Sequence, residues 1–193
     1  MPTYRSVPVL TCLLAMLSLA CCTATPRLTD HSGGLHTPLT GEAGELVVMV
    51  FSSTDCPIAN AMAPDIERAS VETSEVGGRF YLVHARQDLS DEQTRAHAGQ
   101  YKLSMPVIVD RSHTLVKALN ATVTPEAFVL RMGENGGYTV IYQGSVNNLY
   151  GSVGNRRQNV TEHHLRNAIR SAAGGDAIEV PRRAAFGCFI ERN

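Results

Sequence analysis

An uninterrupted apolar run marks the centre of this chain. Residues 46–51 read LVVMVF, and the polar residues 52–55 follow them. A strand that is covered on both faces shows such a continuous run instead of alternation. The next residues predict a helix with one apolar stripe, because apolar side chains recur there at helical spacing, namely Ile58, Met62, Ile66 and Ala69. The pattern therefore predicts a central strand, a short polar turn and a helix.

Shorter patterns along the rest of the chain predict the remaining elements. Strands are expected at 79–85, 106–110, 126–131 and 138–143, and further helices at about 90–101, 113–119 and 161–172. Thr161 is expected to cap the last of these helices, and 144–158 to form a loop rich in Gly and Asn. This order implies an α/β fold with a mixed central sheet flanked by helices, in which the strands are parallel except for an antiparallel hairpin at the edge.

The N-terminus has the pattern of a targeting segment. Arg5 precedes an apolar stretch at 7–20 that is too short to span a bilayer comfortably. The pair Ala20-Cys21 resembles a bacterial lipoprotein cleavage site, in which Cys21 would carry a membrane anchor. Ordinary cleavage after Ala20 or Ala24 is the alternative. Both routes predict an exported protein, either periplasmic or anchored to a membrane.

These patterns divide the chain into four parts. Residues 1–24 are the predicted signal peptide, 25–41 a linker, 42–173 the domain, and 174–193 a C-terminal tail that carries Cys188.

Composition supports one globular domain and gives no support for a nucleic-acid partner. The chain has 193 residues, 44% of them hydrophobic, and a net charge of −1. Five cysteines are present, but Cys12 lies in the signal peptide and Cys21 or Cys22 would be lipidated or removed. Cys56 and Cys188 remain in the folded part. Two cysteines in an oxidising compartment can form one disulfide, although their spacing does not show that they pair.

Cys56 stands at the junction between the predicted central strand and the first helix. Pro57 follows it, and proline is favoured at the first helical position because its missing N–H needs no partner there. Free N–H groups and the positive end of the helix dipole stabilise a thiolate at such a position. We therefore expect Cys56 to be an exposed, acidic thiol. The alternative is a buried structural cysteine without chemistry.

The sequence around Cys56 resembles the active-site helix of thioredoxin-like proteins. Pro64 lies eight residues after Cys56, as in C-x-x-C-x-x-x-x-P, but Ala59 stands at the position of the second cysteine. Thr124-Pro125, followed by an apolar strand, resembles the cis-proline segment that faces the active cysteine in these proteins. The resemblance implies a thioredoxin-like fold with the strand–helix insert that redoxins carry.

Four segments together resemble exported bacterial redoxin-domain proteins of the AhpC/TSA type; they read FSSTDCPIANAMAPDIERA, TPEAFVL, YQGSVNN and FGCFI. The resemblance implies a thiol-based oxidoreductase with Cys56 as nucleophile and a substrate that contacts Ser53, Pro57, Thr124, Pro125 and Glu126. It implies protein thiols, protein disulfides or small peroxides as substrates, without a cofactor or a metal. In larger relatives such a domain precedes a c-type cytochrome region, which suggests a c-type cytochrome as a partner.

Two departures from the family patterns keep the reaction open. A typical peroxiredoxin has P-x-x-x-T-x-x-C, whereas this chain has Met49 and Ser53 at the Pro and Thr positions. A typical thioredoxin has a buried Asp six residues before its nucleophile, whereas this chain has Val50. Thiol–disulfide exchange and peroxide reduction therefore both remain candidate reactions.

Two further residues are candidates for completing a reaction cycle. Cys188 lies between Phe186 and Phe189 in a tail that is expected to dock on the domain. There it is either a resolving thiol or filler in the core. His84 ends the second strand and is a candidate proton acceptor, with an ordinary core or surface histidine as the alternative.

Two other classes of function stay open. Copper-carrying proteins of this fold use C-x-x-x-C and a distant His, but Asn60 replaces the second cysteine here. A soft metal would therefore need Cys56, His84 and Cys188 together. The third class is a domain without catalysis that docks to a membrane or a cytochrome.

Overall fold

In residues 26–152 and 154–191, which this computed structural model describes, the chain forms eleven strands and four helices. The strands are β1 (Leu28–Thr29), β2 (Leu35–His36), β3 (Leu46–Ser52), β4 (Arg79–His84), β5 (Val107–Val109), β6 (Val123–Thr124), β7 (Glu126–Met132), β8 (Tyr138–Gly144), β9 (Tyr150–Ser152), β10 (Asn155–Arg156) and β11 (Cys188–Phe189). The helices are α1 (Pro57–Glu75), α2 (Asp91–Tyr101), α3 (Thr114–Leu119) and α4 (His164–Gly174). The predicted signal peptide and the predicted lipidation of Cys21 lie outside the described residues.

A five-stranded mixed sheet with the order β5-β4-β3-β7-β8 forms the framework. The strands β3, β4 and β5 are parallel, whereas β7 runs antiparallel to β3 and β8 antiparallel to β7. The mixed sheet flanked by helices is therefore confirmed. Its antiparallel part is larger than the sequence order predicts, since β7 itself runs against the central strand.

The central strand β3 is buried along its whole length, as its continuous apolar run predicts. Val48 and Val50 pack on one face of the sheet with the apolar stripes of α1 and α4. Val47, Met49 and Phe51 pack on the other face with α3. Burying one such side chain stabilises the fold by roughly 1.5–3 kcal/mol. The strand is therefore held firmly in place and sets the position of the turn that follows it. The residues after the strand emerge at the carboxyl end of the parallel strands, and Cys56 is among them.

The helix α2 has the predicted cap, but α4 does not. The Ser90 hydroxyl accepts the Gln93 N–H, and the Gln93 side chain accepts the Ser90 N–H, which completes a capping box. Thr161, in contrast, does not cap α4, which begins at His164. The amide side chain of Asn148 binds both the hydroxyl and the N–H of Thr161, at 2.7 and 3.0 Å. Thr161 therefore closes the preceding loop.

The flanking segments are more ordered than their composition predicts. In the predicted linker, β1 and β2 pair with each other, and Asp30 forms a β-bridge to Ile108 in β5. The predicted loop at 144–158 contains β9 and β10, which pair with each other. No helix in the described part of the chain is long and apolar enough to cross a membrane.

A buried carboxylate at the end of β5 organises α3. Asp110 is fully buried and accepts the N–H groups of the first turn, from Thr114, Leu115 and Val116, at 2.8, 2.8 and 2.9 Å. These N–H groups have no partner within the helix, and the positive helix end favours a carboxylate there.

Replacing this carboxylate is expected to destabilise the fold. Asp110→Ala leaves three N–H groups without an acceptor and should lower the free energy of unfolding by about 2–3 kcal/mol. Urea denaturation measures this. The matched control is Asp91→Ala, which removes an exposed ion pair with Arg111 and should cost at most about 1 kcal/mol. Equal losses in the two variants would contradict the role assigned to Asp110.

Candidate active site

Cys56 occupies the N-cap position of α1, with Pro57 as the first helical residue. The strand β3 ends at Ser52, and the turn that follows is closed by the Cys56 N–H, which donates to the Ser53 carbonyl oxygen at 3.2 Å. The predicted strand–turn–helix placement of Cys56 is therefore confirmed. Its predicted exposure is wrong, because the residue is only 1% exposed.

The thiol of Cys56 faces the segment before Pro125. Its Sγ atom donates to the Thr124 carbonyl oxygen at 3.0 Å. The Thr124-Pro125 peptide bond is cis, as its position in the sequence predicts, and Pro125 is buried.

The C-terminal tail covers Cys56 by pairing with this same segment. The strands β11 and β6 run antiparallel, so that Cys188 stands opposite Thr124 and Phe189 opposite Val123. Next to them, the Ile190 N–H donates to the Thr122 carbonyl oxygen at 2.9 Å, and the Ile190 side chain is buried in the core beside α3. The predicted docking of the tail is confirmed, and it explains why Cys56 is not exposed.

Gly187 allows the tail to come this close. A Cβ atom at this position would lie 1.8 Å from the Thr124 carbonyl oxygen, the atom that also accepts the Cys56 thiol. This oxygen belongs to the backbone, so it cannot move away as the end of a flexible side chain can. Glycine is therefore required at 187 for the observed pairing.

The tail has a second attachment on the other side of Cys188, along β8. The Gln143 N–H donates to the Pro181 carbonyl oxygen at 2.9 Å, and the Arg183 N–H donates to the Gln143 carbonyl oxygen at 3.0 Å. A Cβ at Gly144 would lie 2.4 Å from the Arg183 carbonyl oxygen, so this contact also needs a glycine. Cys188 is thus held between two backbone attachments.

The two cysteines are both free thiols in this structure, and their pKa values are moved in opposite directions. Burial alone would raise the pKa of Cys56, but hydrogen bonds from the Cys188 side chain and from the backbone N–H groups of Ala59 and Cys188 outweigh burial and lower it. Partial burial of the Cys188 thiol in an otherwise exposed residue, together with the neighbouring Cys56 sulfur, raises the pKa of Cys188 to about 11. Cys56 is therefore the group that ionises first, and Cys188 keeps its proton.

Three other predicted site residues, Ser53, Pro57 and Thr124, lie around the two cysteines, and a hydrogen bond from the Thr124 side chain contributes to the lowered pKa of Cys56. The Ser53 hydroxyl accepts the Asp55 N–H at 3.4 Å within the turn. Pro57 is exposed at the start of α1, and the Thr124 hydroxyl donates to the Cys188 carbonyl oxygen at 3.4 Å. The substrate contacts of Ser53, Pro57, Thr124 and Pro125 remain predictions.

Glu126 has a different position from the one expected of a substrate contact. It is 5% exposed, and its Oε2 atom accepts the Thr122 N–H at 2.7 Å and the Thr122 hydroxyl at 3.2 Å. Its Oε1 atom accepts the Gln143 side-chain amide at 2.8 Å. Both oxygens are occupied inside the protein, so Glu126 holds the 122–124 segment and does not face a substrate.

His84 ends β4 as predicted, but its ring is enclosed. It is fully buried and packs edge-on against His97, with 5.1 Å between the ring centroids. Burial lowers the pKa of His84 to about 4, an effect that the backbone of Ser52 partly offsets. The ring is therefore neutral at neutral pH. No hydrogen bond joins it to Cys56 in the described residues, so it fits the core-histidine alternative and not the proton acceptor.

A groove of about 540 Å³ opens beside Cys188 at the carboxyl ends of β3 and β4. Cys188 lines it, whereas Cys56 does not. Part of its polar wall is Arg86, which forms ion pairs with Asp55 and Asp88. These residues carry no motif; the only signal in the sequence is that Asp55 and Arg86 each follow the end of a neighbouring strand.

The proposed metal ligands are not brought together. Within residues 26–152 and 154–191, no group of three or more His, Cys, Asp or Glu side chains is arranged to hold a metal ion. The Cys56 and Cys188 side chains contact each other, whereas the His84 ring packs against His97. The copper-carrier hypothesis therefore lacks its ligand set here.

Comparison with known proteins identifies the fold. No protein-family model matches the chain, and no curated protein matches its sequence. A hypothetical protein from Sinorhizobium meliloti is 20% identical with a TM-score of 0.72, over 87% of this chain and 91% of that one. An uncharacterized conserved protein from Geobacillus kaustophilus is 18% identical with a TM-score of 0.70, over 88% and 90%.

A third solved structure has a described activity. A secreted disulfide oxidoreductase of Mycobacterium tuberculosis, homologous to DsbE of Escherichia coli, is 17% identical with a TM-score of 0.53, over 76% of this chain and 96% of that one. At these identities the likeness establishes the fold alone. The chain has the predicted thioredoxin-like fold.

Displacing the tail is expected to open Cys56. Gly187→Ala places a Cβ atom against the Thr124 carbonyl oxygen and should detach β11 from β6. If the free energy of docking β11 onto β6 falls by only about 1.4 kcal/mol, the fraction of molecules with a detached tail rises tenfold. Alkylation of Cys56 by a bulky maleimide, followed by peptide mapping, should therefore become roughly tenfold faster.

The matched control for this variant is Gly137→Ala, because no heavy atom lies within 4 Å of a Cβ built at Gly137. It should leave the alkylation rate of Cys56 unchanged. If Gly187→Ala behaved like this control, the tail would not be what shields Cys56.

Proposed function

We propose that this protein is a thiol–disulfide oxidoreductase whose redox-active cysteine pair, the working pair, is Cys56 and Cys188. One observation carries the proposal: Thr124 accepts the Cys56 thiol through its carbonyl oxygen and stands opposite Cys188 in the strand pairing. The fold thus brings together two thiols from distant parts of the chain. The lowered pKa of Cys56 supplies the thiolate that exchange chemistry needs.

The pair replaces the C-x-x-C arrangement that Ala59 interrupts. When Cys56 and Cys188 form a disulfide, they give up two electrons and their protons to a partner disulfide, which becomes a dithiol. In the other half-reaction, which uses a different partner, the oxidised pair accepts two electrons from the dithiol of that partner. Cys188 is the resolving thiol in this scheme, so the cycle needs neither a cofactor nor a metal.

Exchange fits the site better than peroxide reduction. The positions that activate peroxide in typical peroxiredoxins carry Met49 and Ser53, and the Ser53 hydroxyl accepts the Asp55 N–H. The secreted disulfide oxidoreductase of Mycobacterium tuberculosis, which shares the fold, supports the same choice by analogy.

The setting we infer is outside the cytoplasm. The signal-peptide pattern predicts export, with anchoring through Cys21 if that residue is lipidated. An exported oxidoreductase meets the thiols and disulfides of other exported proteins, which we propose as its partners. A c-type cytochrome partner remains a prediction from the family resemblance.

Stoichiometric oxidation tests the working pair. The reduced protein is treated with one equivalent of a small disulfide, and its peptides are mapped without reduction. We expect a Cys56–Cys188 bond and release of two equivalents of the small thiol. Cys188→Ser should form no such bond and release at most one equivalent, because the second thiol is missing. Two unreacted cysteines, or oxidation without a bond between them, would show that this pair is not the working pair.

A further inference from the structure

The cysteine at the start of α1 is the enclosed member of the pair, and the tail cysteine is the open one. Cys56 belongs to the buried core beside Ile58 and Ala59. Cys188 is exposed and lines the groove at the carboxyl ends of β3 and β4. A thiol that arrives from solvent therefore reaches the Cys188 sulfur first.

We propose, on the basis of the exchange function above, that a partner thiol attacks the oxidised pair at Cys188 from this groove and that Cys56 departs as the thiolate. A new bond forms between the partner sulfur and Cys188 while the Cys56–Cys188 bond breaks. A second thiol of the partner then attacks the partner sulfur of this mixed disulfide and releases Cys188. Two electrons pass from the partner dithiol to the pair. One of the two partner protons ends on Cys188, and the other is released from the partner.

The line of attack supports this order. A thiolate attacks a disulfide along the S–S axis, from the side opposite to the departing sulfur. Attack on Cys56 would need access to a sulfur whose residue is 1% exposed and belongs to the same buried cluster as Ile58 and Ala59. Attack on Cys188 needs only the open groove.

The stabilisation of the departing sulfur supports the same order. The better stabilised thiolate leaves faster. Hydrogen bonds from the backbone of Ala59 and Cys188 help to lower the pKa of Cys56, whereas the pKa of Cys188 is raised. Cys56 is therefore the leaving group that the site favours.

The charges of the groove indicate which thiols enter. Three carboxylates, from Asp55, Asp88 and Glu191, line it against one guanidinium, that of Arg86. The excess of negative charge attracts cationic thiols and repels anionic ones. The partner class is therefore thiols without negative charge next to the reacting sulfur, such as cysteines flanked by neutral or basic residues.

Mapping of the first mixed disulfide tests the order of attack. The full-length protein is oxidised with one equivalent of a small disulfide, and the Cys56–Cys188 bond is verified by peptide mapping. Aminoethanethiol is then added, the reaction is quenched with acid at increasing times, and free thiols are alkylated. We expect the aminoethanethiol adduct on Cys188 and the alkyl group on Cys56 at the earliest times.

The outcomes separate this inference from the function on which it rests. An adduct on Cys56 with free Cys188 at the earliest times would overturn the order of attack and leave the working pair intact. Absence of the Cys56–Cys188 bond after oxidation would overturn the pair and this inference together.

The charge of the probe tests entry through the groove. At low ionic strength, aminoethanethiol should react roughly tenfold or more faster than mercaptoethanesulfonate, after correction for their thiolate fractions, and added salt should reduce the difference. Glu191→Gln should reduce the preference about threefold, whereas Glu134→Gln, in the exposed turn between β7 and β8, should leave it unchanged. Equal rates for the two probes, or equal effects of the two variants, would contradict entry beside Glu191.

Discussion

The antiparallel pairing of residues 188–190 with residues 122–124 is the contact on which the site depends. It sets Cys188 opposite Thr124, whose carbonyl oxygen accepts the Cys56 thiol. Each net backbone hydrogen bond contributes only about 0.5–1.5 kcal/mol, so a strand this short stays docked because other features support it. Gly187 permits the close approach, and buried Ile190 anchors the end.

This geometry makes the two cysteines unequal. Cys56 lies at the start of a helix and receives hydrogen bonds from Cys188, so it holds the negative charge, while Cys188 holds the proton. In a C-x-x-C protein both sulfurs come from one helix turn. Here the second sulfur comes from the tail, far from Cys56 in the sequence, and is the more exposed one. A pair built in this way depends on the docking of the tail.

Local periodicity in the sequence was sufficient to predict most of the fold, but contacts between distant segments determined the site. The run at 46–51 and the stripe on α1 predicted a buried strand and helix because burial imposes their spacing. The polar residues before Cys56 and its place at a helix N-terminus predict an exposed thiol, whereas the residues that cover it lie in the tail. Local position predicts a helix cap at Thr161, and the family resemblance implies a substrate contact at Glu126. In the fold, Asn148 binds Thr161, while Thr122 and Gln143 bind Glu126. Gly187 is the one local signal, since glycine permits close backbone approach, but it does not indicate which segment comes close.

The ionisation of Cys56 with and without its neighbour tests the central claim most directly. The fraction of Cys56 alkylated after brief exposure to iodoacetamide, measured by peptide mapping across pH, gives its pKa in the parent protein and in Cys188→Ala. The account predicts a pKa below the roughly 8.5 of a free cysteine in the parent. It predicts a higher value in the variant, because the hydrogen bond from the Cys188 side chain is lost while the backbone still covers Cys56. An ordinary pKa in the parent, or the same pKa in both proteins, would contradict it.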